Sequence, residues 1–368
     1  MSKEIQGKWS EEKAWQWYNN QPWIRGYSTY PSNCVNRIAM WQEYKHDEVI
    51  KQVDCEFALA KETGFNAVRT IVQFDVWLYQ HDSFMKNLEE YITVADKHGQ
   101  KVMLVLGNDC TVAKSRWKAP VFGEQKIDWG YHSGIKGGQH AGDYSEAGYQ
   151  LLDESDLREK FYEMVKEVVS KYAKDERIQI WDIWNEIGNS NRNATSVPYM
   201  EKTFELVRSF SPIQPLTADV WRSWECINDV LTKEEERALE LSDVITFHSY
   251  APYSEFVLFI KKLKEKYNRP LICNEWLNRI GDNNVKEIFP LLYLEKIGSY
   301  HWGLMQGLSQ TFEPWGGYFI RQANGENLDL TVWQHDIYRF NGMPYIPSEI
   351  KIFKKFAELA DKDWRNKK

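Results

Sequence analysis

Two glutamates end apolar runs in this chain. Ile178 to Glu186 reads IQIWDIWNE, and Pro270 to Trp276 reads PLICNEW with Glu275 near its end. Both runs have the length and the β-branched and aromatic content of strands buried on both faces. Both break into polar residues where a loop must begin. In a parallel α/β barrel, reactive side chains stand at the carboxyl ends of the strands. A pair of carboxylates there can protonate a leaving oxygen with one group and attack the carbon it leaves with the other. That chemistry opens a glycosidic bond.

The elements that must hold such a pair recur along the chain. Val49, Val53, Phe57 and Leu59/Ala60 repeat at helical spacing between Asp47 and Glu62, Gly64 stands where a left-handed C′ residue is wanted, and Phe65 to Ile71 follows as a strand. The same helix, glycine, strand unit returns as Ser83 to Lys97, Gly99 and Lys101 to Leu106, and again as Val285 to Ile297, Gly298 and Ser299 to Gly303. Trp23 to Tyr27, Pro215 to Asp219 and Val244 to His248 supply further strands. Asp156 to Lys174 is an amphipathic helix, and Ser348 caps a last helix over Glu349 to Ala360. Eight strands alternating with helices predict an α/β fold, a (β/α)₈ TIM barrel over residues 23–368, with 1–22 as a Trp-bearing lead-in packed on it. An open doubly wound sheet would need a phosphate loop, and no GxGxxG or GxxxxGK occurs.

Connections after strand three (Gly107 to Ser155) and strand eight (Leu304 to Pro347) are far longer than usual. The first holds Trp117, Trp129, Tyr131, His132, Gly137, Gly138 and His140; the second holds Trp315, Gly316, Gly317, Trp333, His335 and Asp336. Aromatic faces on long loops at the reactive end are platforms for sugar rings or staples for the loops themselves.

A net charge of −7 without a basic stripe argues against nucleic acid. Cys34, Cys55, Cys110, Cys226 and Cys273 show no metal-ligand spacing and read as free thiols, and no apolar run suggests a signal or a membrane span, so a cytoplasmic protein is expected. The histidines form no HxH or HExxH, and there is no GxSxG elbow, so neither a metal, another cofactor nor a serine nucleophile is expected. Oligomeric state is not legible.

The strand ends resemble, one by one, clan A glycoside hydrolases, with the cellulase-like family five as the nearest pattern. Arg69 falls at the strand-two arginine, Asn185-Glu186 at the strand-four Asn-Glu pair, His248 and Tyr250 at the strand-six His-x-Tyr, Glu275 at the strand-seven glutamate and Trp302 at the strand-eight tryptophan. One position departs. The family has a histidine near the end of strand three, where this chain reads LGNDC with Asn108 and Asp109. The segments GLMQGLSQTFEPWG and VWQHDIYRFNGMPYIPSEI also look like those of cellulase-like proteins labelled 1,4-β-xylanase.

The resemblance implies a retaining β-glycosidase without cofactor, acting on carbohydrate, with Glu186 as acid/base and Glu275 as nucleophile about 5 to 5.5 Å apart. Arg69, Asn108, His132, Asn185, His248, Tyr250 and Trp302 would contact or frame the sugar, with Asn185 donating to its 2-hydroxyl. Division of labour predicts Glu275 ionised and Glu186 protonated at rest, with Arg69 and Tyr250 favouring the charge on Glu275. The peptide from Trp302 to Gly303 is expected to be cis. Two long loops walling the mouth suit exo-action on small oligosaccharides or glycosides. The alternatives are an endo-acting β-glycanase of xylanase or cellulase type and a non-catalytic carbohydrate-binding barrel.

Overall fold

Residues 5–127, 132, 146–222 and 231–367 are described by the computed structural model, and among them eight parallel strands run around a barrel. They are β1 (Arg25–Ser28), β2 (Ala67–Ile71), β3 (Lys101–Asn108), β4 (Ile178–Asn185), β5 (Leu216–Thr217), β6 (Ile245–His248), β7 (Leu271–Glu275) and β8 (Gly298–Trp302). The ladder order is β5-β4-β3-β2-β1-β8-β7-β6. The remaining gap, between β5 and β6, closes through Asp243 N–H to Leu216 O (2.7 Å) and His248 N–H to Val220 O (2.8 Å). The helix next after each strand is, in turn, His46–Thr63, His81–Lys97, Ser155–Tyr172, Val197–Ser209, Lys233–Leu241, Tyr253–Lys266, Val285–Leu294 and Pro347–Lys367, short helical turns aside. This is the expected (β/α)₈ barrel.

All eight residues of β4 are buried, because one face lines the barrel interior and the other packs under helices. Gly64 ends the His46–Thr63 helix at φ +102°, and a Cβ there would lie 2.4 Å from that of Ala357. The glycine therefore serves both the turn and the approach of the last helix. That last helix outruns its expected span at both ends. Pro347 fits the first turn, where no N–H is needed, and beyond Ala360 the Arg25–Asp361 ion pair (2.6 Å) and Lys367 Nζ on Asn19 O (2.7 Å) tie down the extra turns. Conversely, β5 keeps two of its five expected residues: the Ala218 amide turns to Ser242 Oγ (3.1 Å), and the Asp219 side chain turns into the barrel.

The amino-terminal end of the barrel is plugged by the lead-in. Ser10 Oγ caps the helix Glu11–Asn19, and Trp9, Ala14 and Tyr18 form one apolar cluster with Ile24, Ala67, Met103, Ile180, Val244, Ile272 and Tyr300. Burying each large side chain there contributes roughly 1.5 to 3 kcal/mol. The opposite end is left for polar groups. Trp129, Tyr131, Gly137, Gly138, His140 and Cys226 lie outside the described residues. No described helix is long and apolar enough to cross a membrane.

Candidate active site

Arg69 organises the carboxyl end of the barrel. Its Nε donates to Asp182 (2.9 Å), Nη1 to Glu275 Oε1 (2.7 Å), and Nη2 to Asn185 Oδ1 (2.6 Å) and Asp219 (2.7 Å). The side chain is fully buried, a position an arginine tolerates only when carboxylates surround it. Asp182 and Asp219 went unnoticed in the sequence, although an aspartate inside the buried run IWDIW demands a cation and so signals one. Burial and the Asp219 charge push the Asp182 carboxyl well above its usual range; burial works the same way on Asp219, but Arg69 and His248 overcome it and hold that group down.

Asn185 closes β4, held between Arg69 and Asn108 Oδ1, to which its Nδ2 donates (2.8 Å). Asn108 thus sits at the expected strand end and acts on Asn185. Asp109 does not face the site's carboxylates. It is wholly buried, accepts from the Gly188 amide (2.7 Å), Ser196 Oγ (2.7 Å) and Gln150 (2.6 Å), and ties the loop after β3 to the loop after β4. Glu186 follows Asn185 with φ +50°, a left-handed conformation a glutamate seldom adopts, which turns its side chain over the barrel mouth.

His248 stands between the two glutamates. Its Nδ1 lies 2.7 Å from Glu186 Oε1 and 3.4 Å from Glu275 Oε2, while Nε2 is 3.3 Å from Asp219 without hydrogen-bond alignment. The Tyr250 hydroxyl donates to Glu275 Oε2 (2.7 Å). One carboxylate oxygen of each glutamate and a His248 nitrogen all lie within 4.8 Å of one another. Among the described residues this is the one cluster compact enough to ligate a metal. The Arg69 guanidinium and an imidazolium already supply positive charge there, so the arrangement suits proton chemistry.

The two glutamates are shifted in directions opposite to the expected division. Burial favours a neutral Glu186, but His248, Cys110 and Asn189 donate to it and hold its carboxyl below the usual value. Burial pushes Glu275 up, the Glu186 charge adds to that, and His248, Arg69 and Tyr250 only partly offset it. Burial disfavours the imidazolium, yet Glu275, Asp219 and Glu186 push His248 up to about 10. These directions favour a charged His248 beside a charged Glu186, with the proton held in the hydrogen bond between them. The expectation treated His248 as a sugar contact and left its charge out.

Linkage follows with a definite sign. Folded His248 holds its proton more tightly than the unfolded chain, so its stabilising contribution is complete below about pH 6.5 and is lost as pH rises toward about 10. Melting temperature should fall from pH 6 to pH 10, less steeply in His248→Gln; parallel curves would remove His248 from this account.

Trp302 ends β8 with 7% of its surface exposed. Its ring stacks on His132 (centroids 5.2 Å, 17°) and meets Tyr30 edge-on (5.8 Å, 84°). His132 and Tyr250 each contact the His335 ring, and Trp315 packs edge-on against Tyr250 (4.9 Å), completing an aromatic wall. His335 and Trp315, loop aromatics by sequence, reach the site through these contacts. The peptide from Trp302 to Gly303 is trans, contrary to expectation. Gly303 is needed for another reason: it adopts φ +83°, and a Cβ would lie 2.6 Å from Asp336 Oδ1 and 2.9 Å from the Asp336 amide. Gly303→Ala should therefore cost about 2 kcal/mol or more, read as a lowered denaturant midpoint; an unchanged midpoint would contradict this packing.

A cavity of about 920 Å³ opens between the loops after β1, β2 and β3, bounded by Arg37, Gln73, Arg116 and Trp117 among others; neither glutamate lines it, but Asn108 and Cys110, which touch Asn185 and Glu186, do.

A closed parallel barrel with two facing carboxylates at the ends of β4 and β7 has the build of a barrel glycoside hydrolase. Comparison with family models agrees: the one described as Cellulase (glycosyl hydrolase family 5) matches residues 19–289. The chain belongs to glycosyl hydrolase family 5 and is a retaining glycoside hydrolase. Among solved structures it is similar to a family 5 mannosidase from Rhizomucor miehei (12% identity, TM-score 0.59, covering 94% of this chain and 95% of that one). It is also similar to the endo-β-1,4-mannanase from Thermotoga petrophila (14%, 0.56, 93% and 78%) and an exo-β-1,4-mannosidase from an Opitutaceae bacterium (13%, 0.58, 100% and 63%). At such identities the likeness speaks to fold alone. No curated protein matches the sequence.

Proposed function

We propose that Glu186 is the acid/base and Glu275 the nucleophile of an exo-acting β-glycosidase that takes short oligosaccharides or glycosides. The observation that supports a small substrate is enclosure: the side chains of Glu186 and Glu275 are 12% and 8% exposed, behind the wall of Tyr250, Trp315, His335 and Trp302. The mannosidases and mannanases among similar structures make β-mannosides the first substrates to try.

Glu275 Oε2 attacks the anomeric carbon as the bond to the leaving oxygen breaks. Attack neutralises Glu275, and with it the largest attraction holding the proton on His248. The proton passes from Nδ1 to Glu186, 2.7 Å away, and on to the leaving oxygen. Water then attacks the glycosyl-enzyme, giving its proton to Glu186 and releasing Glu275 as a carboxylate, after which the proton returns from Glu186 to His248 Nδ1. Asn185 Nδ2 donates to Asn108 Oδ1 (2.8 Å), and its second N–H, which approaches Cys110 Sγ (3.5 Å), would turn from the sulfur to the 2-hydroxyl when sugar binds.

A screen of aryl β-glycosides and short β-linked oligosaccharides, with products identified by mass, tests the proposal. Release of single sugars from one end supports it, and internal cuts in long chains overturn exo-action. The 920 Å³ cavity, whose lining includes Asn108 and Cys110, favours one second reading, an endo-acting β-glycanase whose chain continues there.

A further inference from the structure

Cys110 lies two residues past the end of β3, and its thiol is 2.9 Å from Glu186 Oε2, the oxygen that also accepts from the Asn189 amide. Its place is fixed from several sides. The Cys110 amide donates to Asn108 Oδ1 (3.0 Å), Asn108 Nδ2 donates back to the Cys110 carbonyl (3.1 Å), and Asn185 Nδ2 approaches the sulfur (3.5 Å). The next residue, Thr111, is tied to Ser190 Oγ (3.1 Å) and the Tyr149 carbonyl (2.7 Å). A half-buried cysteine packed as a small apolar filler would need none of this alignment.

The partners of Glu186 differ in what they can do. Asn189 presents an amide N–H₂, which only donates. A thiol donates or accepts, and so does an imidazole nitrogen as its proton comes and goes. A carboxyl that must gain and lose a proton every turnover is helped by a partner that can reverse, because the fixed Asn189 donor on the same oxygen opposes the protonated form. We propose that Cys110 is a positioning residue for the acid/base cycle, its thiol donating to Glu186 Oε2 while that group is a carboxylate and turning to accept, or yielding, when it is protonated. This rests on the assignment of Glu186 as acid/base. The thiol keeps its own proton throughout, since burial and the Glu186 charge push it far above the ordinary thiol range. It is therefore a hydrogen-bonding group and not a nucleophile.

The test uses the full chain carrying Cys110→Ala or Cys110→Ser, with Cys110→Val as a second donor-free variant should alanine loosen the loop. Profiles of kcat/KM against pH are measured on a phenyl β-glycoside, whose leaving group needs the acid, and on a dinitrophenyl β-glycoside, whose leaving group does not. Removing the donor weakens the carboxylate form of Glu186, so the proton it shares with His248 is held more tightly and the alkaline limb on the phenyl glycoside should move up by about one pH unit in the alanine or valine variant. Serine should return it toward the wild-type position, and the alkaline limb on the dinitrophenyl glycoside should not move. An alkaline limb unmoved in the donor-free variants, a serine variant indistinguishable from alanine, or equal shifts on both substrates would overturn the role. If Glu186→Ala retains full activity on the phenyl glycoside, the acid/base assignment itself has failed, whatever Cys110 does.

Discussion

Glu186→Ala and Glu275→Ala are expected to fail in different ways. On the proposed assignment Glu275→Ala has no nucleophile and forms no glycosyl intermediate, so it should lose activity by on the order of 10⁵-fold on every substrate. Glu186→Ala should lose roughly 10²- to 10⁴-fold on substrates that need a proton but still accumulate intermediate from a dinitrophenyl glycoside. Added azide should enter the vacated space and restore turnover, with a β-glycosyl azide as product. The contrast rests on the neighbours of each group: Glu275 is gripped by Arg69 and Tyr250, whereas Glu186 is held by His248, Cys110 and Asn189. Equal losses, with azide inert in both variants, would refute two distinct roles.

Arg69→Met should be the most destabilising single change at the barrel mouth. It strands Asp182, Asp219 and Glu275, all buried, without the cation that serves them. Removing one partner of a buried ion pair typically costs about 3 to 5 kcal/mol, because a buried charge is left uncompensated. Arg69→Lys should rescue little of it, since one ammonium cannot reach four acceptors that a planar guanidinium spans. Chemical denaturation reads the loss directly. The deficit should shrink as pH is lowered and the stranded carboxylates take up protons, and a variant as stable as the wild type at neutral pH would contradict the network.

The barrel was legible where one period dominated. Buried β4 and β7 read as apolar runs, and the helix, glycine, strand unit placed β2, β3 and β8 within a few residues. Legibility failed where side chains compete with the backbone. Ser242 takes the Ala218 amide out of β5, and tertiary ties carry the last helix past Ala360. At the site, strand ends named Arg69, Asn185, Glu186, His248, Tyr250, Glu275 and Trp302, and the structure brings them together. The Asp182 in IWDIW signals a buried cation but not which one, Asp219 ends a strand with no partner visible in sequence, and Cys110, without metal-ligand spacing, reads only as a free thiol. Glu186 at φ +50° and Gly303 at φ +83° are set by what surrounds them, Asp336 in the second case, and no local pattern announces either.

In the proposed mechanism Glu275 forms the covalent bond to the anomeric carbon. Incubating the enzyme with dinitrophenyl 2-deoxy-2-fluoro-β-glycosides, mannoside included, and sequencing the labelled peptide by mass spectrometry tests it most directly. The predicted result is one fluoroglycosyl adduct, on Glu275, with activity lost in step with labelling. An adduct on Glu186, or no adduct from a sugar whose unfluorinated glycoside is hydrolysed with inversion at the anomeric carbon, would contradict it.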